Sequence, residues 1–328
     1  RKPARRPPLV ATPAPKPVRA ALPALGPDMT VAAACHTVLR SCFLHLLDNR
    51  LPVLKSEDPE AVHQARVALR RLRAAIAIFR TIVPGEELKQ LGEEARWLAN
   101  EMGPVRDLDV FLGEIFAPVM HRLAEENGVS AYRLAARAMQ AEERERARRA
   151  FRGRRFQHWR NRFQSRRAAD IAPPLATTSS DTAGPLYRPV AGFAAGILDK
   201  RDRQARRRGR HLARLPVEQR HELRLTLKKL RYAAEFFVSA FPEKESARYI
   251  KRLTKLQDAL GYLNDKAVAQ PLMARIEARV GEASGELAGD ARYVSGLVTG
   301  WHEADHVAIE RRLRQAWKRF HAGSAFWN

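Results

Sequence analysis

The same basic helical pattern occurs twice in this chain, with the two copies 158 residues apart. A helix turns by about 100° per residue, so each copy places a histidine and three cations on one stripe beside the apolar face. The stripe residues are His63, Arg66, Arg70 and Arg73 in the first copy, and His221, Arg224, Lys228 and Arg231 in the second. Cations beside a packing face border a groove, so two such stripes predict a site for a long polyanion.

The shared spacing extends beyond the basic helices. Pro84 and Pro242, Gly103 and Gly261, and Asp107 and Asp265 are also 158 residues apart. We expect each proline to follow the end of a basic helix, and the next helices to end at residues 102–103 and 260–261, because glycine suits a helix terminus. This common order predicts two pseudo-twofold-related helical units from an internal duplication, whose similar surfaces face each other across a basic central cleft.

The fold class follows from periodicity. From about Thr30 onward the apolar residues recur at helical spacing, and no run of alternating β-branched residues is present, so we predict an all-α fold. Helix starts are expected at Asp58-Pro59-Glu60 and at its counterpart, residues 215–218. One long Arg-rich helix is expected over residues 132–167, followed by a loop at 171–185. Arg71 and Lys229 point away from both stripe and core in this scheme, as charges exposed to solvent do.

Three segments are expected. Residues 1–27 contain eight prolines and are predicted to form an unpacked linker. Residues 28–185 form the first helical repeat with the Arg-rich connecting helix and loop, and residues 186–328 form the second. The chain starts with Arg rather than Met, and the linker composition predicts a further domain upstream.

Charge limits the range of partners. Lys and Arg number 59 against 36 Asp and Glu, a net charge of +23 that favours nucleic acid, anionic lipid or polyphosphate. The two cysteines, Cys35 and Cys42, are read as buried thiols of a reducing compartment, so we expect a cytoplasmic location. No stretch of 18 or more apolar residues is present, so no membrane partner is expected.

Several motifs together resemble one family. They are VHQARVALRRLR (62–73), GPVRDLD (103–109), HELR (221–224), KKLRY (228–232) and LGYLND (260–265), with aromatic residues near the end at 317–327. Over about residues 28–327 the chain resembles the CHAD domain, the conserved histidine α-helical domain. This resemblance implies two four-helix bundles around a basic central channel that binds inorganic polyphosphate. It also implies frequent fusion behind a CYTH domain, a triphosphate-tunnel fold that would carry any catalysis, and a possible association with polyphosphate granules.

The resemblance also assigns site residues. His63 and His221 match the family's histidines, and Arg66, Arg70, Arg73, Arg224, Lys228 and Arg231 match its basic ladder. Arg106 follows the glycine-turn motif, although the second half has Asn264 there. Arg40, Arg154, Arg207, Arg210 and Lys255 are further candidates for the basic surface. No cofactor and no metal ion are expected.

These residue types suit a chain of phosphates. Cations three or four apart on a helix have Cβ atoms roughly 5–6 Å apart and form a ladder for successive groups. Arginine can bind two phosphate oxygens at once, and lysine is a mobile point charge. We further hypothesise that a bound phosphate raises the pKa of His63 and His221, so that binding tightens as pH falls. Asp107 and Asp265 are expected to be structural, as caps or as partners of arginine.

The sequence fits other functions less well. A nucleic-acid binder would fit the charge, but the stripes carry few aromatic residues for stacking. His302-Glu303-Ala304-Asp305-His306 matches a zinc-protease pattern, but no third ligand is identifiable. A phosphohydrolase would need metal-binding carboxylates that the stripes do not contain, and the E-x-E-x-K pattern of the CYTH family is absent. An accessory domain of a triphosphate-processing enzyme and a scaffold for acidic proteins remain alternatives to non-catalytic polyphosphate binding.

Overall fold

The regular structure of this chain is helical. The computed structural model describes residues 14–83, 86–122, 128–165 and 184–327. The first half contains α1 (Val31–Asp48), α2 (Arg50–Lys55), α3 (Pro59–Phe79), α4 (Glu86–Glu101), α5 (Gly103–Val110), a π-helix (Phe111–Phe116), α6 (Ala117–Met120), α7 (Val129–Arg152) and α8 (Arg154–Gln164). The second half contains α9 (Val190–Arg208), α10 (Val217–Phe237), α11 (Glu243–Ala283), α12 (Ala288–Ala304) and α13 (His306–His321). The predicted all-α class is therefore confirmed.

The two basic stretches form helices of equal length. α3 and α10 each have 21 residues, and their first and last residues are 158 apart. Asp58 caps α3, because its Oδ1 accepts a hydrogen bond from the backbone N–H of Glu60 at 2.9 Å. α10 starts directly after Pro216 without a side-chain cap. Both predicted starts are confirmed at these residues, whereas the twofold relation of two complete halves stays a prediction.

The halves differ after the basic helices. In the first half α4 ends at Glu101 and α5 starts at Gly103, as expected, while Pro84 lies outside the described residues. In the second half α11 starts after Pro242 and continues without a break to Ala283. The predicted helix end at residues 260–261 is therefore wrong. Glycine inside a helix costs only about 1 kcal/mol relative to alanine, which the buried face of this helix outweighs.

The Arg-rich segment is two helices rather than one. Gly153 has an extended backbone (ψ 156°), which ends α7 and begins α8. Its N–H donates to the carbonyl of Arg149 at 2.9 Å and so caps the last turn of α7. The predicted continuous helix over residues 132–167 is wrong at this glycine, and residues 166–183, with most of the predicted loop, lie outside the described residues.

The Pro-rich segment packs against both halves of the fold over residues 14–27. Val18 exchanges hydrogen bonds with the side chain of Asn49 at 3.0 and 2.8 Å. Leu25 is buried, and its N–H donates to the hydroxyl of Ser239 at 2.8 Å. The expectation of an unpacked linker is wrong for residues 14–27, because satisfied backbone groups and a buried leucine fix the segment. Residues 1–13 lie outside the described part of the chain.

Aromatic packing sets the position of α3 against α10. The rings of Phe79 and Phe237, at equivalent places in the two helices, have centroids 6.3 Å apart, and both side chains are fully buried. Arg71, near the middle of α3, reaches Glu235 in the last turn of α10 at 2.9 Å. Arg71 is only 3% exposed, so its predicted solvent position is wrong, whereas Lys229 is exposed as expected. These contacts hold the two basic helices side by side.

None of the helices in the described ranges combines the length and the apolar composition that crossing a membrane requires.

Candidate anion-binding cleft

The basic stripes of α3 and α10 line one cavity of about 600 Å³. α5, the π-helix and α11 complete its walls. The predicted residues that line it are His63, Arg66 and Arg70 from α3, Arg106 from α5, and Arg224, Lys228 and Arg231 from α10. We call this cavity the central cleft. The fold thus brings six of the eight principal candidates, and one further candidate, to a common space.

Two principal candidates lie elsewhere. Arg73 does not line the central cleft and is close to Arg96 of α4, whose charge together with burial lowers the pKa of Arg73. His221 lines an adjoining cavity of about 350 Å³. Its Nδ1 is 2.9 Å from Oδ1 of Asn264, which lines both cavities. The expectation that both residues lie within the cleft is wrong: Arg73 is turned toward α4, and His221 is at the edge.

The additional candidates are dispersed. Arg40 of α1 lines a small pocket with Phe43 and Phe163. Arg154, Arg207 and Arg210 are exposed and do not line the central cleft, and Lys255 lines a groove on another face. Of the additional set only Arg106 belongs to the cleft, because net charge spreads arginines over a surface without regard to any one site.

The cleft cations are held by neutral groups as well as by acids. Arg66 donates through Nη1 to the carbonyl of Ala99 at 2.7 Å, and burial together with Arg70 lowers its pKa to about 10. Arg70 donates through Nε to the hydroxyl of Tyr232 in α10 at 3.2 Å. The first bond fixes Arg66 against α4, and the second fixes Arg70 across the interface of α3 and α10, so both guanidinium groups are positioned in the absence of a ligand.

Among the cations of the cleft, Lys228 has the pKa that is shifted farthest from its usual value. Burial, followed by the charges of Arg224 and Arg70, lowers the pKa of its ammonium group from 10.5 to about 7. Both effects disfavour a positive charge: the first removes water, and the second adds like charges. Lys228 therefore changes its protonation state close to neutral pH. The position of Lys228 in the repeated sequence pattern does not predict this shift.

His63 is neutral in the free protein. Burial and the nearby charge of Arg106 lower its pKa to about 4. Its imidazole can therefore donate one N–H but carries no charge around neutral pH. Of these two groups, Lys228 is the one whose pKa lies near neutrality before an anion binds, and the effect of a bound phosphate on His63 stays a prediction.

Carboxylates also line the cleft, which the stripes did not predict. They are Asp107, Glu114, Asp258 and Asp265, against the cations Arg66, Arg70, Arg106, Arg224, Lys228 and Arg231. Arg224 approaches Asp265 at 3.9 Å, and Arg106 approaches Glu114 at 3.5 Å. Pairing with an arginine is thus confirmed for Asp265. Cations still outnumber acids, six to four, so the cleft keeps a positive excess.

The second basic stripe is partly neutralised at its end. Nε of Arg231 is 3.2 Å from Oε1 of Glu235, which also pairs with Arg71. Arg66, Arg70 and Lys228, by contrast, have no ion pair within the described ranges, and Arg66 is held by the carbonyl of Ala99. Arg70 and Lys228, at equivalent positions of the two helices, have neither a carboxylate nor a backbone carbonyl as partner there, so they are the cleft cations most available to an anion.

The residues of the cleft that sequence reasoning missed come from α11 and the π-helix. Gln257, Tyr262 and Gly261 line it from α11. A Cβ on Gly261 would meet open space beyond its own helix, so glycine adds no side chain to the cleft here but is not required by a close contact. The shared 158-residue offset marked Gly261 as special but suggested a helix end instead.

The zinc-protease pattern does not form a metal site. α12 ends at Ala304 and α13 starts at His306, so the two histidines are on different helices. His302 is buried, with Nε2 2.8 Å from the carbonyl of Ile115 and Nδ1 2.6 Å from the hydroxyl of Tyr262. Both ring nitrogens are occupied, and no group of three or more His, Cys, Asp or Glu within the described ranges could hold a metal ion.

The lowered pKa of Lys228 predicts a cost in stability. Below about pH 7 the ammonium group of Lys228 is charged in both the folded and the unfolded protein, so the folded state bears the full energetic cost of burying this charge. The cost disappears as pH rises toward 10.5, where the unfolded lysine also loses its proton. We predict that Lys228→Met raises the free energy of unfolding by about 1–3 kcal/mol near pH 6, and by less near pH 9. Urea unfolding at both pH values measures this.

The matched control for this substitution is Lys229→Met, the next residue on the exposed side of the same helix. It should change the free energy of unfolding by no more than about 0.5 kcal/mol. Destabilisation of the protein by Lys228→Met near pH 6 would contradict the electrostatic description of the cleft.

Comparison with known proteins agrees with this fold. The family model of the CHAD domain matches residues 37–274. The structure is similar to the CHAD domain from the plant Ricinus communis, with 25% sequence identity, a TM-score of 0.78, and coverage of 95% of this chain and 98% of that one. PptA from Streptomyces chartreusis shares the fold at 18% identity and a TM-score of 0.56, over 88% of this chain and 100% of that one. No curated protein is significantly similar in sequence. The match over most of the chain shows that it belongs to the CHAD domain family.

Proposed function

We propose that this chain binds inorganic polyphosphate in the central cleft and does not itself catalyse a reaction of it. The observation that supports this most strongly is the meeting of Arg70 and Lys228 at one cavity, without carboxylate partners in the described ranges. Buried like charges raise the free energy of the free protein, and an anion between them lowers it. A site with this arrangement favours a ligand of high charge density.

The cleft chemistry suits repeated phosphates. Arginines on facing helices can each bind two oxygens, and the lysine between them contributes a point charge. The ion pairs of Arg224 and Arg106, at 3.9 and 3.5 Å, are longer than a good hydrogen bond, so phosphate oxygens can compete for these guanidinium groups. Polyphosphate is also the ligand that the family resemblance implies.

Nucleic acid fits the same cleft less well. Binding of single strands normally uses exposed aromatic rings on which bases stack. Tyr232 and Phe111 line the cleft but are buried, with 4% and 1% of their surface exposed. Within the described part of the cleft only Tyr262 presents a half-exposed ring, and its hydroxyl is bonded to His302. A polymer without bases matches this lining better.

The same proposal separates the binding of polyphosphate from any reaction of it. We assign any chemistry on polyphosphate to a separate domain, of the CYTH type that the resemblance implies, and the present chain to retention of the polymer. In this proposal the four carboxylates of the cleft orient arginines and do not bind metal ions. A cytoplasmic location, with association with polyphosphate granules, stays a prediction of this function.

Charge reversal in the cleft tests the proposal. We predict that the double variant Arg70→Glu and Lys228→Glu binds polyphosphate about 100-fold more weakly or worse, because two charge-assisted contacts become repulsive. Gel retardation with polyphosphates of graded length, followed by calorimetry, measures the affinity. Wild-type binding should also weaken steeply with added salt as counterions are released.

The control for the double variant is Arg80→Glu with Lys229→Glu, which changes the net charge by the same amount on exposed positions of the same two segments. This control should retain most of the affinity. Equal retention of polyphosphate by the cleft variant and the control would refute the cleft as the site. An RNA of equal charge that displaces polyphosphate completely would favour nucleic acid instead.

The pH dependence of binding should follow Lys228. A bound anion raises the pKa of its ammonium group above the free value of about 7. Affinity should therefore be highest below about pH 7 and decline as pH rises through the pKa of the bound form. In Lys228→Arg the charge persists throughout this range, so the decline in affinity between about pH 6.5 and 8.5 should be largely abolished.

Calorimetry with tripolyphosphate at several pH values and constant ionic strength distinguishes the two forms. His63→Gln provides the comparison, because the neutral His63 should leave the pH profile of the wild type in place even if the affinity declines. Persistence of the full pH dependence in Lys228→Arg would show that another group is responsible.

A further inference from the structure

A second basic groove lies between α11 and α13. Its volume is about 680 Å³, and the two helices run antiparallel along it, since Tyr249 near the start of α11 contacts Phe320 near the end of α13 at 5.9 Å between ring centroids. Ala259, Ile309 and Ala316 line its floor. The lining residues extend over 15 positions of α11 (248–262) and 12 positions of α13 (308–319), which corresponds to a groove roughly 20 Å long.

The edges of this groove carry cations without acidic partners. They are Arg248, Lys251 and Lys255 on α11, and Arg312 and Arg319 on α13; all five are exposed, and none forms an ion pair within the described residues. Some exposed arginines elsewhere have an acidic partner, as Arg155 has in Glu94 at 2.7 Å. What distinguishes the groove is that five cations without such a partner line both of its edges.

The cations follow the register of the helices. In the antiparallel order Arg248 lies beside the Arg319 end of α13, and Lys255 lies beside Arg312. These two cross-groove pairs are seven residues apart on each helix, which is roughly 10 Å along the helix axis. Like charges therefore occupy both edges of the groove at regular intervals, an arrangement that a linear anion stabilises along its length.

The groove adjoins the central cleft. Asp258 and Tyr262 of α11 line both spaces, so one ends where the other begins. Asp258 and Asp305 make this junction acidic, whereas the cations lie farther along the groove. A long polyanion that occupies the cleft can cross the junction and be held again beyond it. A short polyanion cannot reach both sites.

We propose that the groove is a second binding segment for the same polyphosphate chain and makes the protein selective for long chains. This inference rests on the function proposed for the central cleft. A chain that engages both segments gains affinity because its second contact is intramolecular, whereas tripolyphosphate gains nothing from the groove. The apolar floor could also accommodate an acidic amphipathic helix, but the shared wall with the cleft favours the polymer.

The test compares a groove variant with a variant of equal charge. Lys255→Glu with Arg312→Glu reverses the charge at one pair in the groove. Arg311→Glu with Arg314→Glu reverses two exposed arginines on α13 that do not line it. Circular dichroism and thermal unfolding confirm that both proteins fold. Calorimetry then measures the affinity of each for tripolyphosphate and for long-chain polyphosphate.

We expect the groove variant to bind long-chain polyphosphate at least roughly tenfold more weakly than the matched control. Both variants should bind tripolyphosphate like the wild type. Equal affinity of groove variant and control for the long chain would overturn the second segment and favour an acidic protein partner at the groove. Binding of tripolyphosphate that survives Arg70→Glu with Lys228→Glu would instead refute the central cleft, so the two failures are distinguishable.

Discussion

The packing of α3 against α10 is the constraint on which the site depends. Phe79 and Phe237 occupy equivalent places in the two helices and are fully buried against each other, and Arg71 and Glu235 form an ion pair farther along the interface. Each basic stripe borders the apolar face of its own helix, and burial of both faces in one core brings most residues of the two stripes to a common cavity. The core thereby forces like charges together that would separate in solution, and the hydrophobic contacts offset this repulsion.

The consequence is a site whose charges are strained before any ligand binds. Burial and neighbouring cations lower the pKa of Arg66 to about 10 and that of Lys228 to about 7, and both shifts mean that the positive form is disfavoured in the folded protein. An anion removes part of this cost when it binds. The affinity of the cleft for an anion and the lower stability of the free protein therefore have the same origin. Proteins often tolerate such a loss of stability where function requires it. The carboxylates of the cleft moderate the repulsion without removing the positive excess.

Much of the site could be predicted because helical periodicity is a local signal, and the 158-residue offset shows the same signal in both halves. These signals predicted both basic helices, their starts, and most cations of the cleft. They could not predict the neighbours: Arg73 is turned toward α4, Arg71 is buried against Glu235, and His221 is at the edge, although each has the spacing of its counterpart. Tertiary packing decides which side of a stripe meets a partner. It also decides protonation, since the shifted pKa of Lys228 arises from burial and from charges on two helices.

The most direct measurement is the pKa of Lys228 itself, followed by NMR on protein with ¹³C-labelled lysine side chains and assigned through Lys228→Arg. The physical account predicts a value of about 7 in the free protein, because burial, Arg224 and Arg70 disfavour the ammonium ion. It also predicts that tripolyphosphate raises this value, since a bound anion favours the charged form. A pKa near 10.5 in the free protein, or a value that the anion leaves unchanged, would contradict a strained cationic cleft between α3 and α10.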